Sequence, residues 1–519
     1  MLTLVLSLFV PGSENWPHLR ASVLPEYVST SVLLAIGVAV GSTMIGVGGA
    51  WMTATMRFPG VRWLAPALVL PLAAPAYVIA YVYTDFLDFA GPVQSLLRTS
   101  FGWQGGSYYF PALRSLGGAV IVLTLVLYPY VYLLARAAFV SQSGALFDAA
   151  RSLGHGPLRA FLTIALPTAR PAIAGGLALV VMETLADYGV VEYFGLATFT
   201  TGIFRTWYAM GDRLAAMQLA GYLFLVVLVL VGMEAALRRG RVANPLGHAP
   251  QPRVSKLSGW RGWGAMTLCL LPVLLGFVLP IALLVQHTLQ VGDPLLGSRF
   301  GEFVWNSFQV AAMAALLATT FALLLSYASR LAPSLSVRWT VRIAALGYAL
   351  PGAVLGLAVL VPLTELDKWL AGLLRDLFGG RPTLLLTGSV AALVFAYVVR
   401  FLTAAYNACQ GGFAQVSPQL DALGHSLGAS PRRMLREVHL PLIRPAALTA
   451  LLLVFIDVLK ELPATLILRP FNFETLATRV YRLASDERIA EASTAALVIV
   501  MLGVLPTLLL MRQRNVRAS

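Results

Sequence analysis

Four acidic side chains lie inside long apolar stretches of the sequence, where charge is rare. Glu183 and Asp187 recur as Asp457 and Glu461, each shifted by 274 residues. The members of each pair are spaced i, i+4, which predicts a shared helix face. An ionised side chain at mid-membrane costs at least about 2.5 to 3.5 kcal/mol, so matched acids indicate a polar pathway rather than lipid contact. Carboxylate oxygens suit a hard cation, but these acids could equally repel anions or form a structural pair with Lys460.

Several other kinds of chemistry are excluded by residue type and spacing. None of the lysines, Lys256, Lys368 and Lys460, is followed by Ser or Thr, so the sequence has no Walker A phosphate loop. The two cysteines and six histidines show no ligand spacing, so no metal site is assigned. No nucleophile or acid–base set recurs in the loops, so we expect no enzyme activity. Arg400 lies within an apolar run and is expected to snorkel or to pair helices rather than to bind substrate.

Composition indicates which elements must position these residues. The chain has 519 residues, of which 58% are hydrophobic and 12% charged, too few polar residues to cover a set of soluble domains. Apolar runs of about twenty residues recur, each long enough to cross about 30 Å of hydrocarbon as a helix. The sequence therefore predicts an all-α, polytopic membrane helix bundle surrounded by lipid. The eleven candidate spans are 28–56, 63–87, 116–139, 167–192, 213–237, 263–288, 303–330, 338–363, 384–408, 441–468 and 489–511.

The basic residues are distributed as in a membrane protein. The net charge of +14 comes from 37 Lys and Arg against 23 Asp and Glu. Because these residues cluster in alternate loops between apolar runs, they follow the positive-inside pattern and do not indicate nucleic-acid binding. The pattern predicts that both native termini are cytoplasmic.

The sequence is a tandem duplication. Val61-Arg62-Trp63 recurs at 337–339 and Pro75 recurs as Pro351, both shifted by 276 residues. Parallel copies need an even number of spans each, so six plus six is favoured, with the first span incomplete. We therefore expect halves at 1–237 and 263–519, joined by a basic cytosolic linker at 238–262. We also expect the native chain to start upstream, since Met1 to Val10 is too short to cross a membrane.

A second repeated pattern lies in two loops that lead into apolar runs. Each loop begins with a short segment that ends in a glycine. Eleven residues separate this glycine from a Leu-Pro pair. The first loop contains Asp148, Ala149, Ala150, Gly154, Leu166 and Pro167. The second contains Asp421, Ala422, Gly428, Leu440 and Pro441. The spacing predicts a short helix that ends at the glycine and a span that starts at the proline. A partner protein could bind the short helix.

The two loops resemble the EAA loops of permease subunits of bacterial binding-protein-dependent ABC importers. The family pattern is Glu-Ala-Ala, three residues, Gly, nine residues and Ile-x-Leu-Pro. The second loop departs from it, because Ala422 stands where the acid is expected and Asp421 comes one position earlier. Three further stretches look like fused two-half permeases for ferric iron of the Fbp/Sfu type. These stretches are 70–77, 183–189 (which includes Tyr188) with 194–195, and 460–466 with 469–471.

The resemblance implies a type I ABC importer permease (MetI-like) fold, duplicated in one chain of about 12 transmembrane helices with the first truncated. It implies location in the bacterial inner membrane, coupling helices at 148–154 and 422–428, two copies of a cytosolic ABC ATPase and a periplasmic solute-binding protein. ATP would be used by the ATPase, and this chain would bind no cofactor. The translocation pathway would be lined by Glu183, Asp187, Tyr188, Asp457, Lys460 and Glu461.

The substrate implied is ferric iron. Thiamine, phosphonate or another small solute is the alternative, because the binding protein usually selects the substrate in such systems. An ion-coupled secondary transporter can also have two six-span halves and buried acids, and it is the rival from another class. A membrane enzyme is a third and less favoured reading.

Overall fold

The computed structural model describes residues 2–105, 107–142, 156–238, 255–297, 299–332, 334–345, 347, 350–378 and 385–516. Within these residues the regular structure is almost entirely helical. The strands Met56–Arg57 and Ser255–Lys256 form a two-residue parallel pair. The predicted all-α class is confirmed.

Within the described residues, α-helices are interspersed with shorter 3-10 and π-helical turns. The α-helices of the first part are Leu2–Ser7, Trp16–His18, Leu24–Thr55, Val61–Ala67, Ala76–Leu87, Pro92–Phe101, Leu116–Val140, Pro157–Ala160, Leu166–Ala186, Gly189–Tyr193, Phe199–Phe204 and Arg213–Arg238. Those of the second part are Trp260–Val273, Leu279–Gln290, Phe300–Leu331, Leu335–Ala345, Gly352–Phe378, Val390–Ala414, Pro418–Ser426, Pro431–Met434, Leu440–Leu459, Pro463–Leu468, Leu476–Ser485 and Ile489–Val516. Leu70–Ala73 is a 3-10 helix, and π-helical turns occupy Leu19–Val23, Phe161–Ala165, Arg205–Ala209, Leu274–Val278 and Leu435–His439.

Eight helical runs of the described chain are long and apolar enough to cross a membrane. They are Trp16–Thr55, Leu116–Val140, Phe161–Ala186, Arg213–Met233, Trp260–Gln290, Phe300–Leu331, Val390–Ala414 and Pro431–Leu459. A ninth is counted if the pair Val61–Ala73 and Ala76–Phe101, bent by 92°, is one crossing. The membrane bundle is therefore confirmed, but the predicted count of about twelve spans is not.

Two predicted spans are interrupted at matching prolines. In the expected span 63–87, Ala74 adopts an extended conformation (φ −95°, ψ 130°) before Pro75, and a new helix starts at Ala76. The expected span 338–363 is likewise divided, because Pro351 directly precedes the helix Gly352–Phe378. Proline lacks an N–H group and disfavours the helical conformation in the residue before it.

The chain packs as two compact units. The N-terminal unit comprises Gly12–Gly292 and Ala484–Leu497, and the C-terminal unit comprises Met1–Pro11, Asp293–Leu483 and Val498–Ser519. The run Trp260–Gln290, which the repeat assigns to the second half, lies in the N-terminal unit. There Tyr83 donates a hydrogen bond to the carbonyl oxygen of Leu275. The division into halves at 237 and 263 stays a prediction from the repeat, and the helix that starts at Trp260 begins inside the expected linker.

Each unit contains the same three-helix core. In the N-terminal unit Leu24–Thr55, Leu116–Val140 and Leu166–Ala186 pack together, and in the C-terminal unit Phe300–Leu331, Val390–Ala414 and Leu440–Leu459 do so. One hydrogen bond to this core is also present in both units. In the N-terminal unit the Ser31 hydroxyl accepts from the Phe199 N–H at 3.2 Å. In the C-terminal unit the Ser307 hydroxyl accepts from the Leu476 N–H at 2.7 Å. The duplication therefore extends to individual contacts.

Candidate coupling and translocation sites

The second predicted coupling loop forms the helix Pro418–Ser426. Pro418 occupies the first turn, and the Ser417 hydroxyl accepts a hydrogen bond from the Gln419 N–H. At the other end, Gly428 has φ +68°, and the Ala429 N–H reaches back to the Gly424 carbonyl at 2.9 Å. This left-handed conformation favours glycine, which explains why a glycine follows the helix.

Asp421 points into the protein and is bound from two sides. Its Oδ2 accepts from Arg330 Nε at 2.8 Å, and its Oδ1 lies 2.9 Å from His439 Nε2. Ala422, at the position of the family acid, is exposed. The acid that stands one position early is therefore an internal anchor of the helix. We call Arg330, Asp421, His439 and the adjacent Tyr327 the Arg330 cluster.

Aromatic and aliphatic packing surrounds the Arg330 cluster. Tyr327, Phe413, Val416 and Ile443 form a buried apolar group, and Tyr327 donates a hydrogen bond to the Pro431 carbonyl at 2.6 Å. On the same side of the helix, Gly424 is buried against Met434. One face of the helix Pro418–Ser426 is thus fixed to the bundle.

An adjoining side of this helix, continued by its C-cap residue Leu427, presents three leucines to the surroundings. Leu420, Leu423 and Leu427 have 36%, 58% and 83% of their surface exposed. Their i, i+3, i+7 spacing aligns them along one side. We call them the leucine stripe.

The Leu-Pro pairs start the α-helices Leu166–Ala186 and Leu440–Leu459, and the proline of each pair lies in the first turn, as the pattern predicts. Each helix also continues a longer helical run, because a π-helical turn, Phe161–Ala165 or Leu435–His439, directly precedes it. Proline cannot donate a hydrogen bond to the preceding turn, which a widened turn accommodates. The remainder of the first loop, Asp148, Ala149, Ala150 and Gly154, lies outside the described residues.

The second acid of each matched pair lies beyond its helix rather than on it. The helices end at Ala186 and Leu459, and Asp187 is in extended conformation. The expectation that each pair shares one helix face is therefore wrong, because the chain turns between the two acids.

Asp187 and Glu461 both cap a short helix that follows the turn. Asp187 accepts from the N–H groups of Val190 and Val191 at 3.1 and 3.2 Å, and Glu461 from those of Ala464 and Thr465, both at 3.1 Å. These N–H groups have no acceptor within their own helices, so the carboxylates supply the missing hydrogen-bond acceptors.

In the second half the acids are also paired with cations. Arg400 Nη1 donates to Glu461 Oε1 at 2.7 Å, and both side chains are buried. Lys460 Nζ lies 2.9 Å from Asp457 Oδ1. Arg400 therefore pairs helices, one of its two expected roles, and the predicted structural pairing of Lys460 with an acid is observed. The pathway roles of Glu183, Asp457 and Lys460 stay predictions, as does that of Tyr188, whose ring stacks on Phe204 at 3.9 Å.

Two functional candidates were missed from sequence, Arg330 and His439. Each looked ordinary alone, an arginine after an apolar run and a histidine without ligand spacing. The available signal was the displaced acid Asp421 together with Arg330, which stands where the first repeat has Ala54.

Comparison with known proteins defines the class. The family of binding-protein-dependent transport system inner membrane components matches residues 42–239 and 326–515, once in each half. The chain belongs to this family, and its resemblance to fused two-half permeases is confirmed.

Among its relatives, the Fe(3+)-transport system permease protein FbpB 2 of Haemophilus influenzae is 26% identical over 94% of this chain and 90% of its own. The molybdenum transport system permease protein ModB of Escherichia coli is 30% identical over 34% of this chain and 72% of its own. A putative 2-aminoethylphosphonate transport system permease protein, PhnV of Salmonella typhimurium, is 30% identical over 45% of this chain and 86% of its own. A solved bacterial alginate ABC transporter, in complex with alginate pentasaccharide-bound periplasmic protein, matches 48% of this chain and 92% of its own at 15% identity and a TM-score of 0.37.

Proposed function

We propose that this chain is the permease subunit of an ATP-driven importer that receives ferric iron from a periplasmic binding protein. Two cytosolic ATPase subunits would grip the two coupling loops and switch the bundle between outward and inward openings. Both native termini would be cytoplasmic, and the chain itself would catalyse no reaction.

The observation that carries the proposal is the helix Pro418–Ser426 with its leucine stripe. A helix held to the bundle through Asp421 and exposing leucines on the adjoining side suits docking into an apolar groove of a partner. Because the three leucines are aligned rather than scattered, they form a contiguous exposed apolar patch of the kind that marks an interaction site.

Ferric iron is favoured as substrate by the extent of the relationship. The iron permease relative matches nearly the whole chain, whereas the molybdenum and phosphonate relatives match less than half of it. Molybdate and 2-aminoethylphosphonate are oxyanions, so acids such as Glu183 and Asp457 beside the route would favour the cation instead.

The test is reconstitution of the chain with its ATPase in liposomes that hold ATP inside and are supplied from outside with a periplasmic binding protein loaded with iron. We expect ATP-dependent iron uptake, and we expect Leu423→Asp to abolish both uptake and co-purification of the ATPase, because a carboxylate would be buried in the groove. Leu296→Asp is the matched control, since Leu296 is 56% exposed in a loop that follows Gln290. Uptake that needs an ion gradient but no ATPase would establish a secondary transporter, and uptake of molybdate or phosphonate in place of iron would correct the substrate.

A further inference from the structure

We propose that Arg330, Asp421 and His439 are positioning residues of transport, which join the second coupling helix to two spans so that movement of the helix moves both. This inference rests on the proposed function, and it assigns to the Arg330 cluster a role distinct from docking of the ATPase.

Arg330 binds the helix at its start. Besides Asp421, its guanidinium donates to the carbonyl oxygens of Phe413 at 2.6 Å, Val416 at 2.9 Å and Ser417 at 3.3 Å. These carbonyls lie at or just after the C-terminal end of the helix Val390–Ala414, where the last backbone oxygens have no partner within the helix and a cation is favoured. One side chain from Phe300–Leu331 therefore holds the whole connection between Val390–Ala414 and the coupling helix.

Asp421 extends the same connection to a third helical run. Its second oxygen meets His439, which belongs to Pro431–Leu459 and is only 1% exposed. The imidazole ring lies 5.5 Å from the ring of Tyr327 and 5.7 Å from that of Phe413. A push on the coupling helix is thus transmitted into two spans through two short contacts, the ion pair of Asp421 with Arg330 and the hydrogen bond of Asp421 with His439.

The two halves differ at these positions. By the offsets of the repeat, Arg330, Asp421 and His439 correspond to Ala54, Phe147 and Ala165, and Tyr327 corresponds to Trp51. Trp51 packs on Phe139 and Phe161 at ring distances of 5.3 and 4.9 Å. By sequence, this set of an arginine, an aspartate and a histidine therefore occurs at these matched positions in the second half and not in the first.

The leucine stripe is exposed, whereas the side chain of Asp421 contacts Arg330 and His439, so the roles can be separated by substitution. Asp421→Asn keeps the shape of the side chain but removes the charge that Arg330 and His439 face. We expect the ATPase still to co-purify and to hydrolyse ATP, while iron imported per ATP hydrolysed falls at least about fivefold. Arg330→Lys should show the same defect, because one ammonium group cannot bond the carboxylate and three carbonyls together.

The experiment measures uptake and hydrolysis in the same proteoliposomes of the complete complex. Arg375→Gln serves as control, since Arg375 is exposed in its pair with Asp376. An unchanged ratio of uptake to hydrolysis in Asp421→Asn overturns the inference. So does loss of the ATPase from a folded Asp421→Asn protein, which would make Asp421 a docking residue, or failure of that variant to fold, which would make it purely structural. If the unmodified complex shows no ATP-driven uptake, the proposed function fails instead.

Discussion

The buried ion pair between Arg400 and Glu461 offers the sharpest test of how the membrane acids act. Glu461 accepts four hydrogen bonds: from Arg400, from the N–H groups of Ala464 and Thr465, and from the Thr465 hydroxyl at 3.0 Å. Gly352 packs against this pair so closely that a side chain there would overlap it. We expect Arg400→Met to destabilise the protein strongly, because it leaves the Glu461 carboxylate buried and without its cation.

The magnitude follows from the burial of both partners. Removal of one member of a buried pair typically costs about 3 to 5 kcal/mol of the free energy of unfolding. Glu461→Gln leaves the buried Arg400 without its anion, although the amide oxygen can still accept hydrogen bonds from the N–H groups of the following helix. The double variant Arg400→Met with Glu461→Gln leaves no buried charge, so it should cost less than the sum of the single variants by about 1 to 3 kcal/mol.

Thermal unfolding in detergent can be followed through the two cysteines. Cys269 and Cys409 are both buried, so a thiol-reactive dye reports the temperature at which the bundle opens. Lys368→Met is the control, since Lys368 forms an exposed pair with Glu365 that contributes at most about 1 kcal/mol. The reasoning is refuted if Arg400→Met unfolds at the same temperature as the unmodified protein, or if the single-variant effects simply add.

Three further predictions test other parts of the structure. Gly428→Val should abolish transport at normal abundance in the membrane, measured by uptake and immunoblot, whereas Gly428→Asn should be tolerated because asparagine accepts a positive φ; equal activity of both would contradict this. Glu183→Gln with Asp457→Asn should leave abundance and basal ATPase activity intact and lower iron uptake, and unchanged uptake per molecule would remove both acids from the pathway. Burial raises the pKa of Asp367, but N–H donors of residues 385–387 outweigh it and hold the pKa below its usual value. The carboxylate therefore stabilises the fold at neutral pH, and this stabilisation should be lost as pH falls below about 4, a loss that Asp367→Asn should not show in thermal unfolding.

The apolar runs and the internal repeats of the sequence predicted most of the fold. Runs such as 303–330 and 384–408 match the helices Phe300–Leu331 and Val390–Ala414 to within six residues at each end. Hydropathy could not show where a span turns, because Pro75 and Pro351 lie in stretches as apolar as any other. Their repetition at one offset was the signal that both interrupt a helix.

The candidate sites were located by sequence but their contacts were not. The matched acids stood out by charge, yet spacing alone assumed that the helices continued past Ala186 and Leu459. The capping role of Asp187 and Glu461 depends on a turn that only tertiary packing specifies. The contact of Arg330 with Asp421 could not be predicted for a related reason. The two residues are 91 positions apart in sequence and meet only when three helical runs assemble.

The packing of Trp260–Gln290 in the N-terminal unit has a consequence for biosynthesis. That unit also includes Ala484–Leu497, so it cannot be completed until almost the whole chain has left the ribosome. Early helices would wait in the membrane for a partner encoded hundreds of residues later. A break in the gene between the two repeats would therefore yield fragments that must be made together, each supplying a helix that the other lacks.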